Sequence, residues 1–91
     1  MAFEWNEDNR KDHLAKHRVD FRRITALFDG PTDETVDERF NYGETRINAL
    51  GEIEGRVYAV TYTWRGANRR IISARKANDR EQGKYHARHP R

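Results

Sequence analysis

Arg56-Val57-Tyr58-Ala59-Val60-Thr61-Tyr62-Thr63-Trp64-Arg65-Gly66-Ala67-Asn68-Arg69-Arg70-Ile71-Ile72-Ser73-Ala74-Arg75-Lys76 is the stretch that decides the fold. From Val57 to Trp64 almost every residue is β-branched or aromatic, the types that fit a pleated, partly buried surface, so the run predicts a strand. Gly66 and Asn68 tolerate positive φ and interrupt it, and Ile71 to Ala74 resume the apolar pattern, which makes the whole a hairpin. Tyr58, Val60, Tyr62 and Trp64 share one face of the first strand and Val57, Ala59, Thr61 and Thr63 the other. The aromatic face reads as core at Tyr58 and Val60. Arg65, Arg69 and Arg70 sit at the tip and Arg75 and Lys76 at the far end, so a rigid scaffold carries cations at both ends, as phosphate recognition requires.

Upstream, Ile47, Ala49 and Ile53 alternate with Arg46, Asn48 and Glu52, which predicts a strand over 45–53. A turn at Tyr42-Gly43-Glu44 leads into it, and the tight turn Glu54-Gly55 leads out, so three strands follow one another as an antiparallel meander. A short strand is expected at Thr35 to Asp37, and Phe3 and Trp5 around Glu4 have the period of a short edge strand over 2–5. Asn6, followed by Glu7 and Asp8, caps a helix running to about His17, whose apolar face is only Leu14 and Ala15 and which therefore lies on the surface. Asp20 caps a second helix with Phe21, Ile24, Leu27 and Phe28 on one stripe, ended by Asp29-Gly30-Pro31. Asn78 and Glu81 have the spacing of a capping box for a third helix from Asp79 to about His86. Gly83 weakens that helix by roughly 1 kcal/mol relative to Ala, so docking of Tyr85 is needed to hold it. Residues 86–91 read as a frayed basic tail. The fold class is α+β, with two N-terminal helices and a C-terminal helix packed on a small antiparallel sheet of about four strands.

Ninety-one residues make one domain with a thin core, 35% apolar against 36% charged. No cysteine is present, which excludes disulfides and thiolate metal sites and fits a reducing compartment. The absence of a membrane-length apolar run and of a signal-like N-terminus makes the cytoplasm the expected location. The net charge of +3 conceals a polarity: residues 29–54 carry eight acids against two bases, or −6, and residues 65–91 nine bases against two acids, or +7. The basic third suits a polyanion, and Arg outnumbers Lys fourteen to four, favouring bidentate phosphate contacts. A charged coat on a small protein accounts for the same composition without a ligand.

Phe3-Glu4-Trp5, Lys16-His17 before Val19-Asp20-Phe21, Leu27-Phe28-Asp29, Tyr42-Gly43-Glu44 with Arg46, Leu50-Gly51, Tyr62-Thr63 with Arg65-Gly66, Arg70-Ile71-Ile72-Ser73-Ala74-Arg75-Lys76-Ala77, and Glu81 with Tyr85 together resemble the BrnT family of type II toxins, over residues 3–85. The resemblance implies a RelE-like fold and a ribonuclease that slows translation. It also implies neutralisation by a BrnA-type antitoxin carrying a ribbon-helix-helix DNA-binding part, the complex repressing its own operon. The expected partners are thus an RNA substrate, a BrnA-like antitoxin and operator DNA reached only through that complex, in a dimer or hetero-oligomer, with no membrane. Two departures stand out: Arg18 occupies a position where the family usually has Gly, and Trp64 one where a polar or acidic residue is more usual.

RNA cleavage of this kind, with no metal, needs the 2′-hydroxyl to attack the adjacent phosphate, and preorganised cations supply the largest stabilisation of the extra charge. Arg65 and Arg75 are the first candidates for gripping the phosphate, with Lys76 beside them. Any one of these is equally a solvent-exposed strand residue or an ion-pair partner. His17 suits general acid or base work by its ordinary pKa, or interaction with the carbonyls of its own helix end. Tyr85 suits proton donation, orientation of a base or stacking, or simply anchors its helix. Arg46, Trp64, Arg69, Arg70 and Arg80 are the candidate RNA contacts. His13 with His17, and His86 with His89, lack a matched third ligand, so no metal and no cofactor is expected. The rivals to a toxin are a non-catalytic nucleic-acid-binding module and a decayed toxin serving as a transcriptional co-regulator.

Overall fold

The computed structural model describes residues 2–39 and 43–90, so Tyr42 of the predicted turn and Arg91 of the predicted tail lie outside the described residues. In chain order the elements are β1 (Phe3–Trp5), α1 (Glu7–His17), α2 (Phe21–Ile24) continued by a 3-10 segment (Thr25–Asp29), β2 (Thr32–Asp37), β3 (Arg46–Ile53), β4 (Arg56–Arg65), β5 (Asn68–Lys76) and α3 (Asp79–Arg88). The sheet has the order β1-β5-β4-β3-β2. Its β2–β5 part is the antiparallel meander. β1, however, pairs parallel with β5, Phe3 opposite Arg69 and Trp5 opposite Ile71. The sheet is therefore mixed and five-stranded, not antiparallel with about four strands; three residues are too few for periodicity to specify a partner or a direction. The predicted second helix is also only one α-helical turn before it tightens to 3-10.

Local rules account for the joints. Glu54 (φ 50°) and Gly55 (φ 81°) form the two-residue turn that matches the twist of β3 and β4, and Gly66 (φ 60°) opens the turn into β5. Asn6 and Asn78 cap α1 and α3 by accepting from Asn9 and Glu81 backbone N–H groups, and Glu81 completes the capping box by accepting from the Asn78 N–H.

The register of β4 with β5 contains the feature that aims the site. Thr61 lies opposite Ser73 and Tyr62 opposite Ile71, so Ile72 is an extra residue in β5. In an unbroken strand Ile71 and Arg75 would share a face. The bulge lets Ile71 and Ala74 bury on one side while Ser73 and Arg75 project from the other.

On the first side, Val19, Phe21, Ile24 and Leu27 pack over Val60, Ile71 and Ala74, with Phe3, Trp5, Phe28, Ile53 and Tyr58 around them. Tyr62 is buried here too, its hydroxyl donating to Glu34. Leu27 comes so close to β3 at Gly51 that any Cβ there would overlap its side chain. α1 is held as the weak apolar pattern implies, by polar contacts: Asn9 Nδ2 donates to the Ile72 carbonyl (2.6 Å), and buried Arg10 pairs with Glu7 and Asp20. On the second side, α3 covers only one end of the sheet, through Tyr85 packed with Leu50, Val57 and Ala77. A ten-residue helix is marginal alone; the Tyr85 hydroxyl, donating to the Pro31 carbonyl at 3.0 Å, ties it down.

Two substitutions test this packing in opposite directions. Gly51→Ala should destabilise by roughly 1–3 kcal/mol through overpacking against Leu27. Arg18 closes α1 in the left-handed region (φ 58°, ψ 30°), where a side chain is strained, so Arg18→Gly should stabilise by about 0.5–1 kcal/mol. Urea midpoints of the two variants check both; an unchanged midpoint for Gly51→Ala would refute the close approach.

Candidate active site

The end of the second sheet face that α3 leaves open is a cleft of about 460 Å³. Strand alternation builds its floor: Asn48 of β3, Thr61 of β4 and Ser73 of β5 lie side by side, with the Thr61 hydroxyl donating to Asn48 Oδ1 at 2.7 Å. Its rim carries Arg75 from β5, Glu81 and Lys84 from α3, Asp33 from β2, and Arg39 just beyond β2.

Arg75 is the cation most firmly placed. Its Nη1 and Nη2 donate to Glu81 Oε1 and Oε2 at 2.7 and 2.9 Å, and Nη1 also reaches the Lys76 carbonyl at 3.4 Å. Arg75 holds the Glu81 carboxyl below its ordinary range against the opposing effect of burial, and Glu81 in turn raises Arg75. Each group of the pair therefore favours the charged form of the other. Across the cleft the buried Asp33 carboxylate lies 4.0 Å from Lys84 and 3.6 Å from Arg88, drawing α3 toward β2. Arg39 donates from Nε and Nη2 to Asp37 at 2.9 and 3.0 Å and holds that carboxyl at about 2.

The other candidates from the sequence distribute themselves around this cleft. Arg65 projects from the same face as Arg75, but Arg75 registers against Ala59, six residues back along β4, which is about 20 Å. One phosphate does not bridge them. Arg65 and Arg46 both approach Glu44, at 3.9 and 3.4 Å, and Arg70 pairs with Glu4 at 3.2 Å, so these three form a second cationic group at the far end of the open face. Arg80 lies on the first turn of α3 beside Lys84. Lys76, opposite Tyr58, belongs to the helix-covered face by alternation. On that face too, the Arg69 guanidinium stacks over Phe28 (4.3 Å) and the half-exposed Trp64 (4.7 Å). His17 ends α1, its ring 5.5 Å from His13, and does not line the cleft. Tyr85 is the buried anchor of α3, its hydroxyl committed to Pro31.

Arg39, Asn48, Thr61, Ser73, Glu81 and Lys84 were not singled out from the sequence as site residues. The small, polar face of β4 was the available signal, since a strand that is aromatic on one side and Thr-rich on the other has one face for the core and one for something polar.

The model of the ribonuclease toxin BrnT of type II toxin-antitoxin systems matches residues 5–81. The chain belongs to the BrnT family. A crystal structure of the Brucella abortus ribonuclease toxin BrnT is similar to it with a TM-score of 0.67 and 28% sequence identity, over 87% of this chain and 99% of that one. Among curated protein sequences nothing matches. The BrnT membership makes this chain a ribonuclease toxin of the type II class, the activity that the resemblance implied, and carries with it the expectation of an antitoxin. Among the described residues no helix is long and apolar enough to cross a membrane.

The ion pairs around the sheet set an acid limit on this BrnT chain. Arg10 holds Glu7, Arg22 holds Asp20 and Arg39 holds Asp37 at about 2. Each folded-state value lies below the unfolded one, so each carboxylate contributes stability that is complete above about pH 4 and is lost as pH falls through about 2. The urea midpoint should therefore decline steadily below about pH 4. A midpoint that stays level down to about pH 2.5 would mean that these pairs contribute nothing.

Proposed function

We propose that this BrnT chain cleaves RNA in the cleft between β5 and α3 with no metal ion: a 2′-hydroxyl attacks the neighbouring phosphate to form a 2′,3′-cyclic phosphate, the bond to the 5′-oxygen breaks, and the proton released by the 2′-hydroxyl is balanced by the one the departing 5′-hydroxyl takes up. The observation that carries the reading is the position of Arg75, fixed by two hydrogen bonds on the rim of a polar cleft with Lys84 and Arg39 on its other walls. Three cations around one concave site suit the extra negative charge of a pentacoordinate phosphate. The described residues that line the cleft bring cations rather than imidazoles to it, which suits catalysis by charge stabilisation. From the cleft the open face continues past Thr61 to Arg46, Arg65 and Arg70. A single RNA strand laid along β4 therefore has its scissile phosphate at Arg75 and flanking phosphates at the far group.

The toxin reading extends to regulation. Loss of messenger or ribosomal RNA inhibits translation in the cytoplasm, so the cleft must be covered while the cell grows. A BrnA-type antitoxin with an acidic segment complements the basic C-terminal third, and its ribbon-helix-helix part brings the complex to operator DNA.

Purified protein incubated with a defined RNA in excess EDTA should produce shortened fragments. Intact RNA that migrates as a shifted band would instead indicate a binding module. Arg75→Ala should lower the cleavage rate about 10²–10³-fold with an unchanged melting temperature. Arg65→Ala should weaken RNA binding and flatten its salt dependence by roughly one phosphate contact, leaving the rate on saturating RNA close to the wild type.

A further inference from the structure

We infer that Glu81 is a positioning residue: it holds the end of the Arg75 guanidinium so that the side edge, Nε with the outer hydrogen of Nη2, is presented to the RNA phosphate. This inference rests on the proposed cleavage in the cleft. Its basis is the division of labour among the Arg75 donors. Nη1 and Nη2 each give one hydrogen to Glu81, and Nη1 also contacts the Lys76 carbonyl, whereas Nε–H donates to nothing among the described residues. A guanidinium has two forked edges, and each matches two oxygens of a phosphate or a carboxylate. With Glu81 on the terminal edge, the side edge remains for a phosphodiester, and the two anions need not compete.

Glu81 is itself immobilised. Its Oε1 accepts from the Asn78 backbone N–H at 3.0 Å, and its own N–H donates to Asn78 Oδ1 at 2.9 Å, so the carboxylate belongs to the first turn of α3. That turn is fixed to the sheet through Tyr85 and the Pro31 carbonyl. The chain of restraint runs from Pro31 through Tyr85 and the cap to Glu81 and then Arg75. A flexible arginine on an exposed strand end is thereby converted into a preorganised donor. The same carboxylate thus serves both as helix cap and as guanidinium holder.

Glu81→Gln separates these two roles, because Gln also serves at the third position of a capping box but offers Arg75 only one acceptor. The variant should melt with the wild type, bind RNA with similar affinity, and cleave saturating RNA on the order of 10–100-fold more slowly. In an Arg75→Ala background the same change should have no further effect on the rate, since Glu81 acts through Arg75. An equal loss in both backgrounds, or a loss that follows the melting temperature, would make Glu81 a cap only and overturn the inference. A second readout does not need cleavage. In ¹⁵N spectra the Arg75 Nε–H resonance of the wild type should shift on adding a short 2′-O-methyl RNA, and should broaden and lose that response in Glu81→Gln. Wild type that fails to cleave yet shows this shift would refute the ribonuclease reading while leaving the positioning role standing. No shift in the wild type would overturn the positioning role itself.

Discussion

Unequal cover on the two faces of one sheet is the constraint from which the rest follows. β4 and β5 are buried on one side under α2 and the 3-10 segment, where Val60, Tyr62, Ile71 and Ala74 meet Phe21, Ile24 and Leu27. A chain of this length has too little apolar material to cover both sides. The second side receives one short helix, anchored by one tyrosine, and what remains open is polar, concave and rimmed with three cations and two carboxylates. The cleft is thus a product of how the available hydrophobic residues are spent.

The bulge at Ile72 is what allows the same two strands to serve both purposes. It changes the facing of β5 between Ile71 and Ser73, so that only three residues lie between a core isoleucine and an arginine on the opposite surface. Bulges recur beside active sites because they redirect a side chain without breaking the ladder for long. Here the redirected residue is Arg75, and Glu81 finishes what the bulge begins by fixing the guanidinium once the backbone has pointed it outward.

Much of this was legible in the sequence, and the failures have physical causes. The meander, the two turns, the caps of α1 and α3 and the apolar stripe Phe21-Ile24-Leu27 follow from alternation and turn chemistry, which are local. The parallel pairing of β1 is not local: it joins residues more than sixty positions apart, and three residues carry no directional signal. The bulge was equally invisible, because Ile71-Ile72 reads as a continuous apolar run wherever the register slips. Arg65 and Arg75 are both on the open face, but sequence position gave no measure of the distance between the two ends of a hairpin. The family resemblance is carried by short local motifs, whereas the cleft is assembled from strands and a helix that lie far apart in sequence.

At Arg18 a departure from the family pattern coincides with an unusual backbone conformation. A residue that stands out against the family pattern occupies the left-handed turn that closes α1, so the departure is a local strain near the surface, remote from the cleft. The location of chemistry is the central claim, and the most direct measurement of it is the structure of the protein bound to a short 2′-O-methyl RNA that cannot be cleaved. The account predicts a phosphate on the side edge of Arg75, within reach of Lys84, with the strand continuing over Thr61 toward Arg65. A phosphate bound instead at Trp64 and Arg69, on the helix-covered face, with an empty cleft, would contradict it.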